Sequence, residues 1–189
     1  MELQNDLIKR AQNTLSEQLK RLDRVITKDW ISLEFNSLDF RTDENIKELC
    51  ETISKHSTPV IYRIYVNSVT DQKTLVSNYL SFHESNRKKQ RGVDRFNISK
   101  FNGGDSLTLY VGSSAKFKSR LESHLGKGSI RTFALKINKW DNALDYKLKI
   151  NVFKVEYLDG SPVPQNVLEL IEQEVWDIHR PVFGKKSGK

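Results

Sequence analysis

The run from Leu107 to Gly126, LTLYVGSSAKFKSRLESHLG, restricts the possible folds more than any other stretch of this chain. Its first residues lead into Tyr110-Val111-Gly112, the pattern of a buried strand whose aromatic can be half covered with its hydroxyl left accessible. Gly112-Ser113-Ser114 then reads as a sharp turn that supplies hydroxyls to cap a helix. In that helix Arg120 and His124 stand four residues apart and leave the same face. A phenol, a guanidinium and an imidazole converging on one point suit an anionic phosphate ester better than a neutral ligand. Taken singly, each is an ordinary residue: a strand aromatic, a solvated arginine, a surface histidine. Their weight comes from what the rest of the chain places beside them.

Two further strands are legible. Thr58-Pro59 breaks a preceding helix, and Val60–Val66, VIYRIYV, follows as a strand. Lys147 to Tyr157 alternates Leu148, Ile150, Val152 and Val155 with lysines, and Asp159-Gly160-Ser161-Pro162 makes a turn. Gln165 to about His179 reads as the last helix, with Val167, Leu168, Leu170, Ile171, Val175, Trp176 and Ile178 on a broad apolar face that Arg180-Pro181 ends. Another helix is expected from Gly128 to about Asn138. A long insertion, residues 67–105, separates the first two strands. It opens with a helical pattern from Thr70 to about Arg91 and passes into Arg87, Lys88, Lys89 and Arg91, the densest positive run in the chain. Arg95 and Lys100 then interleave with Phe96, Ile98 and Phe101, and Asn102-Gly103-Gly104 turns back toward the next strand.

The N-terminal part carries no chemical signature. Residues 1 to about 28 place Leu3, Leu7, Ile8, Ala11, Leu15, Leu19, Leu22, Val25 and Ile26 at helical spacing, one long amphipathic helix. Its stripe suits either a short coiled coil in a homodimer or packing on its own domain. Trp30 to Phe40 is a dense apolar anchor, and a second helix is expected from Asp43 to about Ser54. The expectation is therefore an α/β fold with a small, mainly antiparallel three-stranded sheet flanked by helices. Residues 1–56 form a helical arm, and residues 57–189 the domain with its inserted helical and basic segment.

Composition narrows the partners. With 31 Lys and Arg against 24 Asp and Glu, the 189-residue chain has a formal charge of +7, which favours a polyanion. A basic cluster alone is usually a solvated face. Beside a site suited to phosphate, the one from Arg87 to Lys100 is read as contacting nucleic acid, while Lys116 and Lys118 either steady a phosphate or are solvated. The single cysteine, Cys50, excludes an internal disulfide and argues against a cysteine-rich zinc site. With no apolar run long enough for a membrane span and no signal-peptide core, the expectation is a cytoplasmic protein without a membrane partner. Glu172 follows Leu170-Ile171, where a charge is costly unless partnered; its alternative is a solvent-facing place beside Glu169, Gln173 and Glu174.

In this order and spacing the residues resemble the GIY-YIG nuclease family. Val60-Ile61-Tyr62 corresponds to the first motif, Tyr110-Val111-Gly112 to the second, Arg120 to the motif arginine and His124 to a histidine after it. Glu172, nine residues before Pro181, falls on the family's metal-binding glutamate. The resemblance spans about residues 58–184. Val60 stands where the family has glycine, and Gly184 where it has asparagine. It implies a metal-dependent endonuclease with Tyr62, Tyr110, Arg120, His124 and Glu172 as site residues. Tyr62 would activate water and pass its proton to His124. Arg120 would neutralise the phosphoryl group, and Glu172 would hold one Mg²⁺ or Mn²⁺. Some restriction enzymes of the family carry a similar long insertion, which implies double-stranded DNA as substrate and a restriction or phage-defence role. Two alternatives stand beside it: a repair or recombination nuclease that reads structure or single strands, and a nucleic-acid-binding module that has lost catalysis.

Overall fold

The computed structural model of the protein describes residues 2–54, 58–67, 69–86, 105–128, 132, 134–184 and 186. In chain order the elements are α1 (Glu2–Leu22), β1 (Val25–Asn36), α2 (Asp43–Glu51), β2 (Val60–Val66), α3 (Val69–Asn86), β3 (Leu107–Ser114), α4 (Phe117–Leu125), β4 (Lys147–Tyr157) and α5 (Gln165–His179). The four strands form one antiparallel sheet in the order β1-β4-β2-β3. The α/β class, the antiparallel sheet and the flanking helices agree with the sequence. The number of strands does not: four stand where three were expected.

The fourth strand comes from the stretch read as a helical arm. The helix stops at Leu22, and Val25 to Asn36 runs along the full length of β4. Val25 and Ile26 continue the helical spacing of the preceding leucines, so periodicity alone carries the helix through them. The β-branched run Val25-Ile26-Thr27 instead favours an extended backbone, and β4 supplies hydrogen-bond partners for it. Ile31, Leu33 and Phe35 then join the core face, while Glu34 turns outward to pair with Lys147 at 2.8 Å and Lys149 at 3.4 Å. Residues 25–36 therefore belong to the same sheet as the rest of the domain. Ahead of them, α1 leaves Leu7, Ile8, Leu15 and Leu19 exposed.

The sheet has two unlike faces. One carries Ile64 and Val66 of β2, Leu148, Ile150 and Val152 of β4, and Leu109 of β3. Ile46 and Cys50 of α2, Phe117, Leu121 and Leu125 of α4, and Leu75 and Tyr79 of α3 cover it. The helical part of the insertion is thus built into the main core. Among the described residues the other face packs at one end, where Val167, Leu168 and Ile171 of α5 meet Ile61 and Val155.

A short buried network ties the loops to this core. Asp141, fully buried, takes Arg41 Nη1 at 2.5 Å on one oxygen and the Tyr146 hydroxyl at 3.2 Å on the other. Asn78 Nδ2 of α3 donates to the Asp141 carbonyl at 2.9 Å, and Trp140 beside it meets the Tyr79 ring at 5.3 Å.

The helix expected from Gly128 to Asn138 is replaced, among the described residues, by a 3-10 turn at Ile137–Lys139 preceded by Lys136 in the left-handed region (φ 52°). A left-handed residue cannot continue a right-handed helix. The Leu135 N–H is moreover committed to the ring of His124 at 3.1 Å. The expected turn at Gly112–Ser114 is also absent, because β3 runs on through Ser114 opposite Val60. Neither serine caps α4: its first residue follows Lys116, and Ser114 Oγ accepts from Lys116 N at 3.0 Å instead.

Asp141→Ala leaves the Arg41 guanidinium and the Tyr146 hydroxyl without their partner, so we expect a loss of about 3–5 kcal/mol. Equilibrium urea unfolding of the two proteins measures it.

Candidate active site

Antiparallel pairing of β2 with β3 sets Tyr62 directly opposite Gly112 and Ile64 opposite Tyr110, so both phenols stand on the same face, two positions apart. Their rings lie 6.0 Å apart, stacked at 26°. Gly112 is what makes room for them. A Cβ there would sit 2.5 Å from Tyr110 Cε1 and 3.1 Å from each of the two hydroxyl oxygens.

α4 brings the other two groups. Arg120 bridges the phenols, with Nε donating to the Tyr62 oxygen at 3.3 Å and Nη2 to the Tyr110 oxygen at 3.2 Å. His124, one turn further, places Nε2 2.9 Å from the Tyr62 oxygen. Leu135 N–H donates to His124 Nδ1, so the lone pair is on Nδ1 and the ring proton on Nε2. His124 therefore donates to Tyr62. The expected relay, in which Tyr62 hands its proton to His124, is reversed in direction because the only basic nitrogen of the ring already accepts from the main chain.

Burial organises the charges. Tyr62 and His124 are fully buried, while Tyr110 is half-buried. Desolvation pushes the Tyr62 hydroxyl well above the ordinary phenol value; Tyr110 and Glu172 add to the rise, and Arg120 opposes it. Desolvation, then the Arg120 charge, holds the His124 imidazole well below its ordinary value and keeps it neutral. Burial works against the charge on Arg120 as well, but the two phenols outweigh it and hold the guanidinium above its usual value. The site thus contains one permanent cation, two phenols aimed at it and a neutral imidazole that donates.

Glu172 lies on α5, 7 % exposed, close enough for its charge to act on the Tyr62 phenol. The solvent-facing alternative for this residue is thereby overturned: the carboxylate is turned inward. No three His, Cys, Asp or Glu side chains come together among the described residues. A buried carboxylate whose charge reaches the Tyr62 phenol still fits a hard divalent cation, with one protein oxygen and a shell otherwise of water and substrate oxygens.

Beyond α5 the chain turns at Arg180 in the left-handed region (φ 43°) and crosses the edge of β3. Val182 N donates to Thr108 O at 2.9 Å and Phe183 N to Leu109 O at 3.0 Å. Gly184 follows with φ 98° and lies against the Tyr110 ring, where a Cβ would approach to 3.0 Å. Glycine at this position is what the close packing requires, and asparagine would be strained there.

Lys116 and Lys118, at the head of α4, line a groove of about 460 Å³ together with Ile53, Phe117, Ser119 and Glu122. Arg87, Lys88, Lys89, Arg91, Arg95 and Lys100 lie outside the described residues. The sequence reading missed the Leu135 main-chain donor, which no side-chain motif announces. It also passed over Arg63, whose signal was a lone charge in the middle of an apolar strand.

Comparisons with protein-family models, with curated proteins and with solved structures find no match to this chain. A functional reading therefore rests on the residues and their arrangement.

Two outcomes follow from the geometry. Gly112→Ala forces Tyr110 aside and is expected to destabilise the protein by about 1–3 kcal/mol, read from urea unfolding, with Tyr110 rotated in the variant's crystal structure. His124, neutral when folded, takes up a proton on unfolding once the pH drops below its ordinary value of 6.5. Its contribution is complete above that pH and declines as the pH falls toward the folded value, with a limiting slope of one proton. Unfolding free energies measured from pH 8 to pH 5 should fall with a slope up to one proton shallower in His124→Gln than in the wild type, the remainder coming from His179, which burial also holds low.

Proposed function

We propose that this site is the hydrolytic centre of a metal-dependent DNA endonuclease of the GIY-YIG type, with a restriction or phage-defence role. One observation carries the reading. Tyr62, Tyr110, Arg120 and His124, drawn from three elements in the order of the motifs, form one hydrogen-bonded cluster, and the buried Glu172 carboxylate is near enough for its charge to act on Tyr62. A positive chain, +7 overall, suits a polyanionic substrate.

In this mechanism the Tyr62 oxygen accepts N–H from both His124 and Arg120, which occupies its two lone pairs and leaves its proton to be given away. Among the described residues no side chain accepts a hydrogen bond from the Tyr62 hydroxyl, so its proton leaves through water to bulk solvent, and the phenolate left behind takes a proton from the attacking water. Both donors then stabilise the phenolate that results, which is how a phenol can work as a base far below its resting value. Arg120 neutralises the charge that builds on the phosphoryl oxygens in the transition state, acting from a low-dielectric setting where that interaction is strong. Tyr110, half-buried and tied to the same guanidinium, positions the phosphate at the mouth of the site. A divalent ion held by Glu172 would polarise a non-bridging oxygen and stabilise the leaving 3′ oxygen. Cutting both strands of a duplex favours a homodimer, and the stripe of Leu7, Ile8, Leu15 and Leu19 on α1 is the surface such a pairing would use.

Incubating supercoiled plasmid with the protein, with and without Mg²⁺, tests the proposal. Metal-dependent cleavage is expected, and discrete bands separate a restriction enzyme from a structure-specific nuclease, which leaves a smear. Tyr62→Phe and Glu172→Ala should each cut at least ~100-fold more slowly while retaining DNA in a gel shift. Wild-type binding without cleavage would overturn hydrolysis and leave a nucleic-acid-binding module. Full activity in Tyr62→Phe would remove that residue as the base.

A further inference from the structure

We propose a second phosphate-binding site on the opposite face of the sheet, formed by Arg63 of β2 and His179 at the end of α5. Arg63 follows Tyr62, so its side chain points away from the phenol cluster. It lies on the face that carries Ile61, toward Thr108 and Ser106 of the β3 end of the sheet. There its Nε–H donates to Thr108 Oγ1 at 2.7 Å and its Nη2 to Ser106 Oγ at 2.8 Å, and its guanidinium carbon stands 4.2 Å from the centre of the Tyr65 ring. Two hydroxyls and an aromatic ring fix the plane of the fork without neutralising it. Among the described residues no carboxylate pairs with Arg63, and its three remaining N–H groups have no protein acceptor.

The surroundings keep the charge unanswered. Across the ladder Arg63 faces Asn151 on β4, which accepts from Tyr65 and Ser32, each at 3.3 Å. Glu34, the acid of the neighbouring strand, is already held by Lys147 and Lys149. Asp177 of α5 is paired with Lys186. Thr108 links the two members of the site: its hydroxyl pins Arg63, and its carbonyl accepts from Val182, just past the end of α5. His179 is half-buried within range of the Arg63 charge, and desolvation, then Arg63, holds its imidazole below the ordinary value. A guanidinium fixed by Thr108 and Ser106, an imidazole that feels its charge and, among the described residues, no carboxylate paired with either offer a receptor for an oxyanion. The guanidinium offers a preorganised fork, and an arriving anion would favour protonation of the histidine, adding a second charged donor.

The ligand chemistry is a phosphate, either free or in the backbone of a polynucleotide. The site does not depend on hydrolysis at Tyr62, and its test needs no cleavage. The protein, free of divalent metal, is titrated with pH by proton NMR. The His179 ring resonance is assigned with His179→Asn. Three samples are compared: buffer alone, inorganic phosphate, and a short DNA duplex. An upward shift of the His179 titration is expected with ligand, with inorganic phosphate effective if the site takes free phosphate, and only the duplex effective if it grips a backbone. Arg63→Gln should abolish the shift and weaken binding of the effective probe at least ~10-fold. Ser106→Ala, which unpins the fork while leaving the strand intact, should weaken it in the same direction should Arg63→Gln fail to fold. A titration unmoved by both probes, an equal shift in Arg63→Gln, or unchanged affinity in Ser106→Ala would each overturn the proposal.

Discussion

The register between β2 and β3 is the constraint on which the site depends. It places Tyr62 against Gly112, so that its partner on β3 has no side chain to crowd the two hydroxyls. A slip of one residue would turn Tyr62 to the other face and bring a β-carbon against its hydroxyl. Several contacts hold the register: Ile64 and Val66 are locked in the main core, and Ile61 is locked beneath α5. The chain after α5 adds main-chain bonds from Val182 and Phe183 along the outer edge of β3. A strand that would otherwise be a free edge is thus covered just where its tyrosine must stay in place.

Around that register the protein concentrates polar groups that would be costly alone. Tyr62 and His124 are both fully buried, and each is supported by a group that gains from it. Leu135 N–H satisfies the basic nitrogen of the histidine, the histidine donates to the phenol, and the phenols stabilise Arg120. The direction of this chain of donors matters more than its members. With Nδ1 engaged, the imidazole cannot act as a sink for the Tyr62 proton; it can only stabilise what remains after the proton leaves. A main-chain group in an irregular loop therefore sets the chemical role of a side chain on a helix.

Much of the fold was legible because it follows from period. Val60–Val66, Lys147–Tyr157 and Gln165–His179 fall where alternation and helical spacing place them. Period misleads where two patterns coincide. Leu22, Val25 and Ile26 fit a helix, yet β-branching and a waiting partner strand make the last two residues extended. It also misleads where a tertiary bond competes for the backbone, as at Leu135, whose N–H serves His124 in place of a helical carbonyl. For the candidate site, residue pattern and spacing brought out Tyr110, Arg120 and His124, and the resemblance to the GIY-YIG nucleases added Tyr62 and the role of Glu172. Neither brought out Arg63, since the meaning of a charged residue within a strand depends on what covers its face of the sheet.

By itself the sequence determined which residues could meet: alternation assigns Tyr62 and Tyr110 to strands, and the spacing of Arg120 and His124 puts them on one side of a helix. Only the tertiary structure decided how they act once together. The tautomer of His124, the inward turn of Glu172, the fit of Gly184 against Tyr110 and the hold of Thr108 and Ser106 on Arg63 all depend on contacts between residues far apart in the chain. Local pattern encodes the direction in which a side chain leaves the backbone. Proton positions and charge states depend on burial and partners, which exist only after the layers have packed.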